Sequence, residues 1–312
     1  MSIGSYIGWS MSWPTFMVTR IIMKTMALNT ATPSEKGRRI SQLRAVFEKR
    51  ERGSTITSKY HTAPIKIAKA FPLGGPVGVI VMDVSPGLLA GDQYELHWKA
   101  EDGAHAYITN QSFTKVHPAH EEHGGSTMLQ CFELGNGAII ESMPEPTMLY
   151  RDAEFTMHTE VRLAEGAIWM GAEVLCPGRA LRGELFAYRS FRSKFNVYYK
   201  NELIYVQHQF IEPLSQRLAS RGCYAGMTHT GVFYVFSDRV QAAYADAIRN
   251  ALGALSVQGE HRVEWGVSMT YKYGIAVMAA STAAWALQEV MSTAWVKVRE
   301  ILLGLSPIAL RK

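Results

Sequence analysis

Three imidazoles and two carboxylates fall within the seven residues His117-Pro118-Ala119-His120-Glu121-Glu122-His123. Imidazole nitrogen and carboxylate oxygen suit nickel or zinc. Pro118 and the Gly124-Gly125 pair that follows predict a flexible loop rather than a preformed cage. The segment therefore reads first as a solvated histidine-rich loop and second as a weak, transient metal contact through His117, His120 and His123.

Acids embedded in apolar stretches carry more information. Glu141 sits in Ala138-Ile139-Ile140-Glu141-Ser142-Met143, Glu173 in Ile168-Trp169-Met170-Gly171-Ala172-Glu173-Val174-Leu175-Cys176, and Asp92 follows Leu88-Leu89-Ala90-Gly91. A buried carboxylate costs several kcal/mol unless it is paired or hydrated. Each acid must therefore meet an arginine, line a wet cavity or point to solvent. Arg179, Arg182 and Glu184 lie close to Glu173 in sequence, so an ion pair is the simpler expectation. The sharper one is a polar interior channel that passes a divalent cation, since oxygen donors hold such an ion only loosely.

Other chemistries lack their signatures. There is no Gly-x-Ser-x-Gly elbow, no phosphate-binding loop and no Gly-x-Gly-x-x-Gly. Gly74-Gly75-Pro76-Val77-Gly78 reads as a turn. Cys131, Cys176 and Cys223 are far apart and odd in number, which signals neither a disulfide framework nor structural zinc. All three read as small buried hydrophobes in a reducing, cytoplasmic setting. Apolar residues make up 47% and charged residues 19%, an ordinary globular composition. The net charge of +5 is dispersed. Its densest stretches, Lys36 to Arg39 and Arg189 to Lys194, lack the basic and aromatic interleaving of a nucleic-acid platform. Residues 1–28 hold no acid, and their apolar stretches are broken by serines, Pro14, Arg20 and Lys24, short of the roughly 20 residues of a membrane span. Neither nucleic acid nor membrane is an expected partner. Residues 1–40 read as an N-terminal extension, disordered or translated from a start placed too far upstream, with Met23 and Met26 as candidate starts.

These residues need a scaffold, and the dominant period is two. Leu43, Ala45 and Phe47 share one face; Tyr94, Leu96 and Trp98 oppose Gln93, Glu95, His97 and Lys99; Met157, Thr159, Val161 and Leu163 oppose His158, Glu160 and Arg162. Such alternation predicts strands with one buried face. A weak repeat recurs at Asp102-Gly103-Ala104, Asn136-Gly137-Ala138 and Glu165-Gly166-Ala167, with glycines 34 and 29 residues apart (137 − 103 and 166 − 137). It has two readings: stacked repeats forming a layered β core, or three unrelated hairpins. A further hairpin turns at Lys200-Asn201, returning through Leu203, Tyr205 and Gln207. Helices are expected over Arg239 to Leu252, capped by Ser237 or Asp238 and ended by Gly253, and over Thr282 to Leu303 with Gly304 as stop. The predicted fold is mostly β, a stacked or helical β-sheet scaffold with two α-helices in the C-terminal half. Residues 41–312 form one β-rich domain.

Taken in order, these segments resemble the UreD/UreH family of urease accessory proteins. Ser85 to Asp92 is similar to its PGGLVGGD segment, with Ala90 where the family has glycine. Thr109 to Val116 resembles TTQSATKVY, and Pro144 to Thr147 resembles PQPTI. Glu173 to Phe186 resembles WEVLCLGRxARGExF, the most specific of the set. Val296 to Arg311 resembles the family's ending. The resemblance implies a non-catalytic β scaffold without a tightly bound cofactor, handling Ni2+ transiently. It implies binding to UreF, to UreG through UreF, and to urease apoprotein, and it allows a dimer within that complex. Mapped by motif, Asp92, Thr114, Glu141, Glu173 and Glu184 are the implied lining of an interior passage. Lys115, Gly178, Arg179, Arg182 and Gly183 belong to the structural or partner motifs. Two other readings stay open: a β-helical enzyme acting on carbohydrate, which needs two carboxylates about 5–10 Å apart in an open groove, and a plain protein-binding module with its acids paired.

Overall fold

The computed structural model describes residues 39–255 and 261–308. The expectations for residues 1–38 and for the last residues of the C-terminal segment lie outside them. In chain order the strands are β1 (Arg39–Arg50), β2 (Gly53–His61), β3 (Ile65–Pro72), β4 (Val77–Asp83), β5 (Asp92–Ala100), β6 (His105–Asn110), β7 (Thr114–Val116), β8 (Ser126–Leu134) and β9 (Ile139–Ser142). They continue as β10 (Thr147–Leu149), β11 (Glu154–Leu163), β12 (Ile168–Cys176), β13 (Ser190–Tyr199), β14 (Glu202–Ile211), β15 (His229–Phe236), β16 (Val263–Met269) and β17 (Gly274–Ser281). Helix α1 is Ala242–Gly253 and α2 is Ala284–Val298. The first strand takes in Arg39 and Ile40, so ordered β structure starts ahead of Ser41.

One seven-stranded sheet runs β14-β13-β11-β8-β5-β1-β2, and its five central strands are parallel. The second runs β16-β17-β15-β12-β9-β6-β4-β3, with β4, β6, β9 and β12 parallel. The chain passes from one sheet to the other and back, laying each new coil beside the last. Inward residues from both sheets form one core, including Leu43, Phe47, Trp98, Phe132, Val161 and Trp169.

The three Gly-Ala turns are the crossings from the first sheet to the second. They link β5 to β6, β8 to β9 and β11 to β12, so they are not hairpins, and the stacked-repeat reading holds. Gly103, Gly137 and Gly166 have φ of 67°, 61° and 66°, a left-handed conformation that a Cβ disfavours. The turns bond to one another: Gly103 N–H donates to the Asn136 carbonyl and Gly137 N–H to the Glu165 carbonyl, each at 2.8 Å. The alanine after each glycine is fully buried, where a larger side chain would not fit between coils.

The Lys200-Asn201 turn does make a hairpin, with φ of 47° and 65°. An irregularity between Val197 and Tyr198 shifts its register, so Ile204 is buried and Leu203 is 48% exposed. Both helices pack on the outer face of the second sheet. Leu287, Val290, Met291 and Trp295 of α2 and Ile248 and Leu252 of α1 cover Ile168, Met170, Phe233 and Val277. The first helix starts at Ala242 rather than Arg239, because Ser237 closes a separate turn ahead of it and Asp238 is engaged by other parts of the chain. Ser237 Oγ accepts from Arg239 N–H, and Asp238 accepts from the Tyr199 hydroxyl at 2.7 Å and from Gly166 N–H at 3.1 Å.

Glu141 pins α2 to the sheet. Its carboxylate is fully buried, lies 2.6 Å from His105 Nε2, accepts from Trp295 Nε1 at 2.5 Å and is ion-paired with buried Arg299. Burial alone would push the Glu141 carboxyl up. The His105 hydrogen bond and charge, with the Arg299 guanidinium, outweigh it and hold the group below its ordinary range. Glu141→Ala strands Arg299 in an apolar layer and is expected to cost about 3–5 kcal/mol, read as a lower urea midpoint at unchanged m-value. A loss below about 1 kcal/mol would show that α2 docks through apolar contacts alone.

Candidate functional site

Between the two sheets lies a cavity of about 810 Å3. Its floor is aromatic, with Trp98, Phe132, Trp169, Phe195 and Tyr234 among the lining residues. Trp169 contacts the Phe132 and Phe195 rings at centroid distances of 5.6 and 5.4 Å, and Phe195 stacks on Tyr234 at 5.0 Å. Into this chamber the seven-stranded sheet projects Gln130, Thr159, Ser193, Gln207 and Gln209. The Tyr234 hydroxyl donates to Gln207, and Gln130 Nε2 lies 3.5 Å from Thr159 Oγ1.

Glu173 is the acid that β12 sends into the chamber. Alternation explains this: Trp169, Gly171, Glu173 and Leu175 line the chamber, whereas Ile168 and Met170 pack under the helices. Among the described residues it has no hydrogen bond and no ion pair, so the expected pairing with Arg179 or Arg182 does not form. The part of its surface that stays accessible opens onto the chamber. Removed from bulk water, its carboxyl is pushed up to about 7.

The other implied lining residues separate. Thr114 lies on the chamber wall. Asp92 does not; its carboxylate accepts from Leu89 N–H at 2.8 Å and meets Arg39 at 3.1 Å, closing a turn. Glu141 faces the helices on the far side of the second sheet. Glu184 is buried beneath Arg179, which grips it bidentately at 2.7 and 2.5 Å. That hydrogen bond holds the Glu184 carboxyl below its ordinary range, and the same guanidinium lies 4.1 Å from the Tyr150 ring centroid. Arg182 and Lys115 are exposed. Gly183 ends a short helical turn with φ of 73°. Gly178 has φ of 135°, and a Cβ there would fall 1.9 Å from the Glu184 carbonyl oxygen. Glu141 and Glu173 thus leave opposite faces of one sheet and share no groove, so these two acids do not form the carboxylate pair that glycoside hydrolysis needs.

The histidine loop also rearranges. His120 and His123 stack at 5.3 Å, and with Glu122 they bring three exposed donor atoms within 4.8 Å of one another. His117 stands apart, against Tyr150 and 3.2 Å from the Pro86 carbonyl. Of the cysteines only Cys176 is buried; Cys131, on the outward face of β8, is partly exposed, and Cys223 is exposed in the turn segment between β14 and β15.

The motifs distant in sequence meet in space. Leu88 bridges Val116, β7 pairs with β10, and β10 pairs with β12 at Thr147 opposite Leu175. Gly87 touches Lys115 so closely that a Cβ would lie 2.4 Å from its carbonyl oxygen. This third, short ladder runs along the coils beside the chamber. The neutral chamber residues Gln130, Ser193, Gln207 and Gln209 were not legible as a site. Their one available signal was a polar side chain on an inward-facing strand position.

Fold and site together define a coiled two-sheet β scaffold with a chamber between its sheets, into which Glu173 projects with no ion-pair partner among the described residues. A model of the family described as UreD urease accessory protein matches residues 39–312. The chain is 32% identical over 238 residues to the urease accessory protein UreD of Acetivibrio thermocellus, covering 76% of this chain and 88% of that relative. It is 28% identical to that of Lysinibacillus sphaericus (66% and 78% covered) and 26% identical to that of Bacillus sp. strain TB-90 (85% and 95% covered). The chain belongs to the UreD family of urease accessory proteins.

Glu173 also makes a stability prediction. Its raised folded value means that the native state keeps a proton the unfolded chain has lost. The penalty is absent below about pH 4.5, grows as pH rises and is complete above about pH 7. Glu173→Gln is therefore expected to stabilise the fold by up to about 3 kcal/mol at pH 8 and by nothing at pH 4. The check is the difference in melting temperature across that range; a gain independent of pH would mean that the carboxylate is hydrated in the chamber.

Proposed function

We propose that this chain acts in urease maturation as a non-catalytic scaffold that holds UreF, and UreG through it, against urease apoprotein, and that Ni2+ passes through the inter-sheet chamber as cargo. Family membership supports the maturation role. The observation that carries the passage is Glu173, a carboxylate with no ion-pair partner among the described residues, in a partly open, largely apolar chamber between the sheets. An acid that ionises near neutral pH keeps a substantial protonated fraction there while no cation is beside it. An arriving divalent cation favours its ionised form. The proton leaves, the carboxylate binds, and the neighbouring glutamine, threonine and tyrosine oxygens add only weak donors. Loose, oxygen-rich contact suits a hard or borderline ion in transit better than one in storage.

The test uses the full chain co-expressed with UreF, UreG and the urease subunits. Wild type is expected to co-purify with UreF, and Glu173→Gln to co-purify equally well while the nickel content of urease falls by about tenfold, on the scale of losing one supporting group at a metal site. Undiminished nickel loading in the variant sinks the passage and leaves the scaffold. Failure of the wild-type chain to hold UreF sinks the scaffold.

A further inference from the structure

The outer face of the seven-stranded sheet carries a cluster that the chamber does not use. His97 on β5 is directly opposite Cys131 on β8, and Glu133 lies two residues further along β8 on the same face. The imidazole nitrogen, thiol sulfur and carboxylate oxygen all lie within 4.8 Å of one another. His97 Nε2 and Glu133 Oε1 are 3.2 Å apart, and both side chains are 39% exposed. His97 and Cys131 line a hollow of about 690 Å3 together with Arg44, His158, Glu160 and Lys194, and Glu133 lies beside it. Two cations neighbour Glu133 in its register row, Lys99 and Arg162. Each is hydrogen-bonded to a different acid, Glu101 at 2.6 Å and Glu160 at 2.7 Å. The Glu133 carboxylate is left facing His97 and Cys131.

We infer that His97, Cys131 and Glu133 form a binding site for a borderline-soft divalent cation of the Zn2+ and Co2+ class. Thiolate, imidazole and carboxylate together select that class over magnesium or calcium. Three protein donors leave the fourth tetrahedral position to water, the arrangement of an open site rather than a closed structural one. The donors come from two adjacent, regularly paired parallel strands, so their spacing is set by the sheet and costs little to organise. Without a cation, burial together with the charges of Glu133 and Glu160 pushes the Cys131 thiol up to about 11, so it is protonated. Binding forms the metal–sulfur bond and releases that proton to solvent.

The probe is Co2+ added to the full chain under a non-chelating reductant. One equivalent is expected to give a thiolate-to-cobalt charge-transfer band in the near ultraviolet, which Zn2+ displaces. Cys131→Ser should abolish the band, and His97→Ala should weaken Co2+ binding by about 10–100-fold. Cys223→Ser and the His120→Ala/His123→Ala pair should leave band and affinity unchanged, since both lie elsewhere. Where Cys131→Ser fails to fold by circular dichroism, Glu133→Gln supplies the reading: the band is kept and affinity falls by about tenfold. A band that survives in folded Cys131→Ser, a wild-type chain that shows none at saturating Co2+, or a Glu133→Gln affinity equal to wild type overturns the site.

Discussion

Successive coils of this protein are held in register by hydrogen bonds between their turns, and everything else depends on that register. Gly103 donates to the turn that contains Gly137, and Gly137 donates to the turn that contains Gly166. Each bond requires a left-handed glycine and a small buried alanine after it. With the turns stacked, strands of each coil fall beside those of the next as parallel ladders. The period-two alternation then sends one set of side chains between the sheets and the other outward. A slip of one residue would exchange the two sets. Glu173 would leave the chamber, and His97, Cys131 and Glu133 would enter the core.

The two acids of the second sheet show what a face means energetically. Glu141 and Glu173 occupy similar apolar strands, yet one is surrounded by His105, Trp295 and Arg299 and the other by aromatic rings and neutral amides. The first carboxylate is held ionised and ties α2 to the β stack. The second is held near its point of ionisation by the same loss of water, uncompensated. A structural acid and a responsive acid thus arise from one chemical group, separated by the thickness of a sheet.

The ladder of β7, β10 and the end of β12 explains why several short segments carry the family resemblance. Gly87, Thr114, Thr147 and Gly178 come from four distant stretches, and they lie side by side because backbone approaches backbone there. At Gly87 and Gly178 a side chain would collide with a carbonyl oxygen. Arg179 then locks the last of these segments by gripping Glu184 across the loop. Thr114 and Thr147 line the chamber, and Gly87, Gly178 and Arg179 support its wall from behind.

Local chemistry determined much of this protein from the sequence alone. The alternation of Leu43, Ala45 and Phe47 or of Met157, Val161 and Leu163 specifies strands and their buried faces, because a two-residue period has one solution. The Gly-Ala repeat specifies turns, and the alanine-rich and tryptophan-bearing stretches specify two late helices. Only the tertiary structure decided which sheet each strand joined and hence what each buried face meets. It alone could separate Glu141 from Glu173, detach Asp92 and Glu184 from the interior, and gather Gln130, Ser193 and Gln207 around it. The physical reason is range. Periodicity and turn chemistry act over a few residues, whereas a carboxylate's ionisation and a metal's donor set depend on neighbours brought from tens to more than a hundred residues away, such as Trp295 at Glu141.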